Sequence, residues 1–275
     1  VRSADVGVHC PLRTARQGAH NEEGVGRLRR AMADLSVVVP TLLAPDETDV
    51  VPAIEARAAV DVEVLVRDET PVTRARNEGA RRASSDKLVF LDDDSVPIPG
   101  YLARVADVLE DEGAVAGRTV HPRDDVIGRR LTGHYDFGDE RRYVTRFWGC
   151  NMALRREVLA AAGWWDEELG WGHEEKELAE RVLRHAPIFY DPALVVVHPY
   201  ADSVVDYWHK QYRLERQTPA VWARTGVPVR QQLLEIGRFA CDPTNYLGLT
   251  PRHLAARAGG ALATTAGRVR GLLDR

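Results

Sequence analysis

The sequence predicts an α/β fold with three layers, in which helices cover both faces of a mostly parallel sheet and a helical extension follows at the C-terminus. Three observations lead there. Short apolar runs at 35–39, 61–66 and 87–91 alternate with stretches of helical composition, the strand–helix–strand order that parallel sheets require. Asp92, Asp93 and Asp94 directly follow the run 87–91, so a strand delivers three carboxylates to the edge of the sheet, where a turn lets them converge on a divalent cation. A second acidic group, Trp171-Gly172-His173-Glu174-Glu175, lies downstream, and His198 follows the apolar run 194–197.

The elements follow in order. Residues 1–31 are rich in Gly, Arg and Ala and lack a strand period, so they read as a flexible N-terminal extension or an early start assignment. A catalytic core is expected over 32–200. Pro40 and Thr41 stop the first strand, and 51–60 form a short helix with Pro52 in its first turn. The strand 61–66 delivers Arg67, Asp68 and Glu69 to a loop. Residues 73–84 form the helix that returns the chain to 87–91, and 101–112 form another before a strand at 114–116. Residues 118–148 mix charged, aromatic and Gly positions, a composition suited to a site-forming insert. Helices are expected at 152–162 and 175–185, and short strands at 188–190 and 194–197. Residues 201–275 read as a mainly helical extension packing on the core, with helices near 202–224, 229–240 and 251–273.

Composition excludes several classes. At 275 residues the chain can bury a substantial core, and its formal charge of -4 offers no global positive field for nucleic acid. The three cysteines, Cys10, Cys150 and Cys241, show no paired metal spacing and fit a reduced, cytoplasmic setting. No uninterrupted apolar span of about 18 residues is present, so association with a membrane would be peripheral, at its cytoplasmic face.

Taken together, Ser36 to Thr41, Ala75-Arg76-Asn77-Glu78-Gly79, Phe90 to Asp94 and Gly149 to Arg156 make the chain from about 35 to 198 resemble the family 2 nucleotide-sugar glycosyltransferases of GT-A fold. Gly163 to Glu167 and Gly170 to Glu175 resemble the acceptor side of these enzymes and of their galactosyltransferase-like relatives.

The resemblance implies transfer of a sugar from a nucleoside diphosphate donor, a UDP-sugar above others, to a hydroxyl of a glycan, a lipid-linked saccharide or a protein-linked oligosaccharide. It implies Mn2+ or Mg2+ as cofactor, with Asp94 and His198 as ligands, Asp92 reaching the metal through water or holding donor ribose or sugar, and Asp93 in a less defined middle role. Glu175 matches the catalytic acid of the family's W-G-x-E-D pattern, with Glu in place of Asp, and becomes the base that accepts the acceptor's proton with inversion. Glu174 orients the acceptor. Pro40, Thr41 and Asp68 belong to the nucleotide pocket, Arg76 (or Arg74) neutralises diphosphate, and Asn77 orients nearby backbone. Arg118 falls mid-pocket, Asn151 bridges the donor and acceptor loops, and Trp171 and Trp148 offer sugar platforms. Leu42-Leu43-Ala44-Pro45-Asp46 departs from the usual lead-in after Thr41, which leaves donor selectivity open. A retaining glycosyltransferase, a nucleotidyltransferase with a related pocket, and a non-catalytic carbohydrate- or nucleotide-binding module remain the competing readings.

Overall fold

A computed structural model describes residues 33–275; the expected extension 1–31 lies outside them. The centre is a sheet in the order β2-β1-β3-β7-β5-β8-β4, with β6 also pairing β8. Its strands are β1 (Leu35–Pro40), β2 (Val62–Arg67), β3 (Lys87–Phe90), β4 (Val96–Pro97), β5 (Ala114–Val120), β6 (Arg142–Val144), β7 (Met152–Arg155) and β8 (Ile188–Val197). The longest registers, β1 with β2 and β5 with β8, are parallel, as is β1 with β3, while β7 runs antiparallel between β3 and β5.

Alternation along β1 builds the layers, because successive side chains leave a strand on opposite faces. Val37 and Val39 join one cluster with Val51 and Ile54 of α1 (Val50–Arg57) and Leu102, Val105 and Leu109 of α3 (Tyr101–Asp111). Val38 joins the other, with Ala80 of α2 (Val72–Arg82), Leu159 of α4 (Arg156–Ala161) and Leu178 and Val182 of α5 (Glu174–Val182). The three-layer α/β expectation is met.

Three local expectations need correction. The helix expected at 152–162 begins as strand β7, because Met152, Ala153 and Leu154 are buried on both faces and so lack the alternation that marks a strand. The two short strands at 188–190 and 194–197 are one strand, β8, whose register against β5 jumps from Gly117↔Asp191 to Arg118↔Val195. The helix at 202–224 divides into α6 (Val204–Glu215) and α7 (Thr218–Arg224), with Pro219 in the first turn of the second.

The chain ends in α8 (Val229–Cys241) and α9 (Pro251–Leu273). Small residues let α9 lie close against α6: a Cβ on Gly267 would stand 2.5 Å from the Tyr212 carbonyl oxygen. No helix among the described residues is long and apolar enough to cross a membrane.

Candidate active site

The C-terminal ends of β1, β2, β3 and β8 share one edge of the sheet, the edge where ligands bind in open α/β folds. β3 ends into a tight turn in which the Ser95 amide donates to the Asp92 carbonyl at 3.0 Å. The Asp93 carbonyl accepts from the Asp49 and Val50 amides at 2.9 and 3.1 Å, which fastens the turn to the start of α1. Thr41, at the end of β1, donates its hydroxyl to Asp93 Oδ2 at 2.5 Å. His198 follows β8, its amide donating to the Val120 carbonyl at 2.9 Å. Its Nε2 stands 3.4 Å from Asp94 Oδ1 and 3.8 Å from Asp92 Oδ2.

The second acidic group reaches the same place through an unusual backbone. Gly172 (φ 123°) and His173 (φ 63°) both have left-handed conformations at the start of α5, and for His173 this costs about 1–2 kcal/mol. The turn presents Glu174 and Glu175, both buried, to the cavity. Glu174 Oε2 accepts from the Gly172 amide at 2.6 Å, and Glu174 Oε1 lies 2.5 Å from Arg76 Nη1.

A polar face of α2 holds the acidic loop in place. Thr73, Arg76, Asn77 and Ala80 follow helical spacing on its buried side. Thr73 donates to the Leu169 carbonyl at 2.8 Å, and Asn77 both donates to the Trp165 carbonyl (3.0 Å) and accepts from the Trp165 amide (2.9 Å). Arg76, 2% exposed, bridges the two acidic groups: its Nη2 donates to Asp92 Oδ1 at 3.0 Å and its guanidinium lies 4.6 Å from the Trp165 ring centre. Burial opposes its charge, yet Glu174 and Asp92 prevail and hold its proton more tightly than in free arginine.

These groups enclose a cavity of about 260 Å³. Of the residues singled out from sequence, Pro40, Arg76, Asp92, Asp93, Asp94, Trp148, Trp171, Glu174, Glu175 and His198 all line it. Thr41 adjoins it through Asp93, and Asp68 is an exposed residue just past β2, beside Thr41 in register. Three others spend their side chains elsewhere. Asn77 holds the loop at Trp165. Arg118 faces Asp136 (3.0 Å) and Asp139 (2.6 Å). Asn151, fully buried, accepts from the Tyr101 hydroxyl at 2.7 Å and donates to the Arg118 and Leu194 carbonyls, closing the register jump between β5 and β8.

Sequence reasoning missed Cys150, Tyr135, Tyr200 and Lys210, which also line the cavity. Lys210 comes from α6, where nothing in the local pattern separates a cavity-facing lysine from a solvated one.

Burial shifts Glu175 and Asp94 in the same direction. Burial raises the Glu175 carboxyl above the usual carboxylate range, and the neighbouring Glu174 raises it further against His173 and Lys176. Burial likewise raises Asp94, with His198 opposing and Asp92 and Asp93 adding to the rise. Asp94 Oδ1 and His198 Nδ1 are buried without a hydrogen-bond partner. Asp92, Cys150 and His198 offer one ligand atom each within 4.8 Å of one another. An orphaned carboxylate oxygen beside such a donor set fits a divalent cation.

Residues 45–161 match the family model described as glycosyl transferase family 2. Over those residues the chain is similar to that family. The matched segment runs from the turn before α1 to the end of α4 and includes the triple acid. Among solved structures, the chain is similar to GalNAc-T7 with UDP, GalNAc and Mn2+ (15% identity, 62% of this chain, 44% of that chain, TM-score 0.47). It is similar to TarS 1-349 of S. aureus (11%, 88%, 92%, 0.44) and to mannosyltransferase PcManGT of Pyrobaculum calidifontis with GDP-Man and Mn2+ (16%, 89%, 87%, 0.48). The chain therefore spans less than half of the GalNAc-T7 chain. No curated protein matches the chain by sequence.

Proposed function

We propose that this glycosyltransferase moves a sugar from a nucleoside diphosphate donor, a UDP-sugar before others, to a hydroxyl of a saccharide acceptor with inversion at the anomeric carbon. One observation carries the reading: Asp94 and Glu175, on elements far apart in sequence, line the same cavity. Asp92, Asp94 and His198 would hold the divalent cation, with Cys150 adjoining; bound there, the cation supplies positive charge to the departing diphosphate. Lys210 adds a fixed cation on the same side.

Across the cavity, Glu175 accepts the proton of the acceptor hydroxyl as that oxygen bonds to the anomeric carbon and the bond to diphosphate breaks. Its raised proton affinity suits that role. Glu174, clamped by Arg76 and the Gly172 amide, sets the loop rather than taking the proton, and can present its carboxylate edge to an acceptor hydroxyl. Trp171, 40% exposed at the cavity wall, offers an apolar face to a sugar ring.

The acceptor includes lipid-linked saccharides. Residues 201–275 carry eleven Lys and Arg against six Asp and Glu, in a chain of net charge -4, and expose Leu233, Leu234, Leu247 and Leu249. That combination supports peripheral contact with an anionic membrane face. Cosedimentation with vesicles containing anionic lipid, but not with neutral ones, is expected; equal recovery in the supernatant from both would exclude the contact.

The decisive experiment supplies Mn2+ and a series of nucleotide sugars, measures nucleoside diphosphate release, and assigns the product anomer. Release of nucleoside diphosphate with inverted product supports the reading. A retained anomer refutes the role of Glu175, and release of pyrophosphate refutes sugar transfer.

A further inference from the structure

A second, smaller cavity of about 120 Å³ lies behind the catalytic helix, and its chemistry is cationic. His173 lines both cavities. The other walls come from Lys176 on α5, Thr218, Val221 and Trp222 on α7, and Arg268 on α9. The site therefore exists only where the C-terminal helices meet the helix that carries Glu174 and Glu175.

The charges around it are unequally satisfied. Glu215 is the carboxylate at this junction, and its capacity is taken up: Arg268 Nε donates to Oε2 at 2.7 Å, the Thr218 hydroxyl donates to the same oxygen at 2.8 Å, and His173 Nε2 stands 3.5 Å from Oε1. These neighbours outweigh burial and hold Glu215 well below the usual carboxylate range, so it stays ionised. Arg268 is fixed further by lying over the Phe239 and Trp222 rings, 4.6 and 5.4 Å from their centres. Lys176 has no side-chain hydrogen bond or ion pair among the described residues, although it lines the cavity and is only partly exposed. Burial lowers its proton affinity, against Glu175 and Glu215. Lys176 lies within electrostatic reach of Glu175 and Glu215 but is bonded to neither, and with Arg268 it leaves an ammonium free to donate into a cavity large enough for a tetrahedral oxyanion.

We propose that this cavity binds one phosphate-type oxyanion, held by the Lys176 ammonium with Arg268 and the Trp222 and Thr218 wall. The site is separate from the donor cavity and does not depend on the sugar-transfer reading. Its consequence is mechanical: the anion ties α7 and α9 to α5 and so steadies the turn at His173.

Two sources share this chemistry, free phosphate and a phosphomonoester carried on a larger molecule. The test titrates the full chain with inorganic phosphate and with methyl phosphate, at constant ionic strength, by calorimetry and by thermal midpoint, with chloride as control. Saturable binding near one per chain is expected, weakened at least ~10-fold in both Lys176→Met and Lys176→Gln and unchanged in Lys210→Met, a variant confined to the donor cavity. Binding of methyl phosphate as well points to an ester-borne group, and binding of inorganic phosphate alone to the free ion. Absence of saturable binding, or binding lost in Lys210→Met but kept in both Lys176 variants, overturns the proposal.

Discussion

Arg76 joins the two halves of the cavity, and removing it is expected to destabilise the protein before it affects any chemistry. The guanidinium is 2% exposed and its partner Glu174 4%, at 2.5 Å, while Asp92 takes the other nitrogen at 3.0 Å. Arg76→Met fills much of the same volume but leaves Glu174 buried with only the Gly172 amide for company. Breaking a buried pair by deleting one partner costs about 3–5 kcal/mol. For a chain of this size each kcal/mol lowers the melting midpoint by about 2–4 °C, so the expected fall is on the order of 6–20 °C. The cause is the orphaned carboxylate, so adding Glu174→Gln to Arg76→Met is expected to restore part of the loss, with a coupling of about 0.5–3 kcal/mol between the sites. Urea or thermal unfolding of the four proteins in the cycle measures it. A midpoint for Arg76→Met within about 1 °C of the parent, or additive effects in the double variant, would refute the reasoning.

Glu175→Gln is expected to lower kcat by about 10²–10⁴-fold while donor binding persists, measured as nucleoside diphosphate release and as donor affinity. Because the Glu175 carboxyl is raised in the folded state, its ionisation opposes folding: that cost is absent below the unfolded value and fully present once the pH exceeds the folded one. The same variant should therefore unfold no earlier than the parent at neutral pH, and an earlier melt would contradict the burial argument. For the same reason the acid limb of kcat against pH should lie above the ordinary carboxylate range and be lost in the variant. His198→Ala should weaken Mn2+ binding by calorimetry without unfolding the chain; unchanged affinity would remove His198 from the ligand set. A protein lacking residues 1–31 should melt and turn over like the full chain, and loss of either would assign that segment a structural part.

How much of this was legible in the sequence depends on whether a residue's partner lies near it in the chain. The triple acid could be placed because a strand and its following turn are local, and parallel strands put their C-terminal ends on one edge. Trp171 to Glu175 could be placed because the motif is contiguous. Asn77 is expected to orient backbone and Asn151 to bridge two loops, but an amide does not say which backbone it meets, and here Trp165, Arg118 and Leu194 supply it from distant segments. The strand at 152–155 was hidden for a related reason, since burial on both faces erases the alternation that separates strand from helix.

The C-terminal helices carry a further step of the argument. Lys210 on α6 reaches the larger cavity, Arg268 on α9 reaches the smaller one, and His173 lines both. Neither cation has a sequence motif, because each is brought in by tertiary packing alone. The segment that matches the family model, 45–161, contains the triple acid but ends before Glu174, Glu175, His198 and Lys210. On the proposed reading, the metal-side carboxylates come from the matched segment, while His198, the base and Lys210 come from the stretch beyond it. Because Lys210 and Leu214 put α6 on the larger cavity while α7 and α9 line only the smaller one, substitutions in α7 and α9 are the ones expected to leave nucleotide use unchanged.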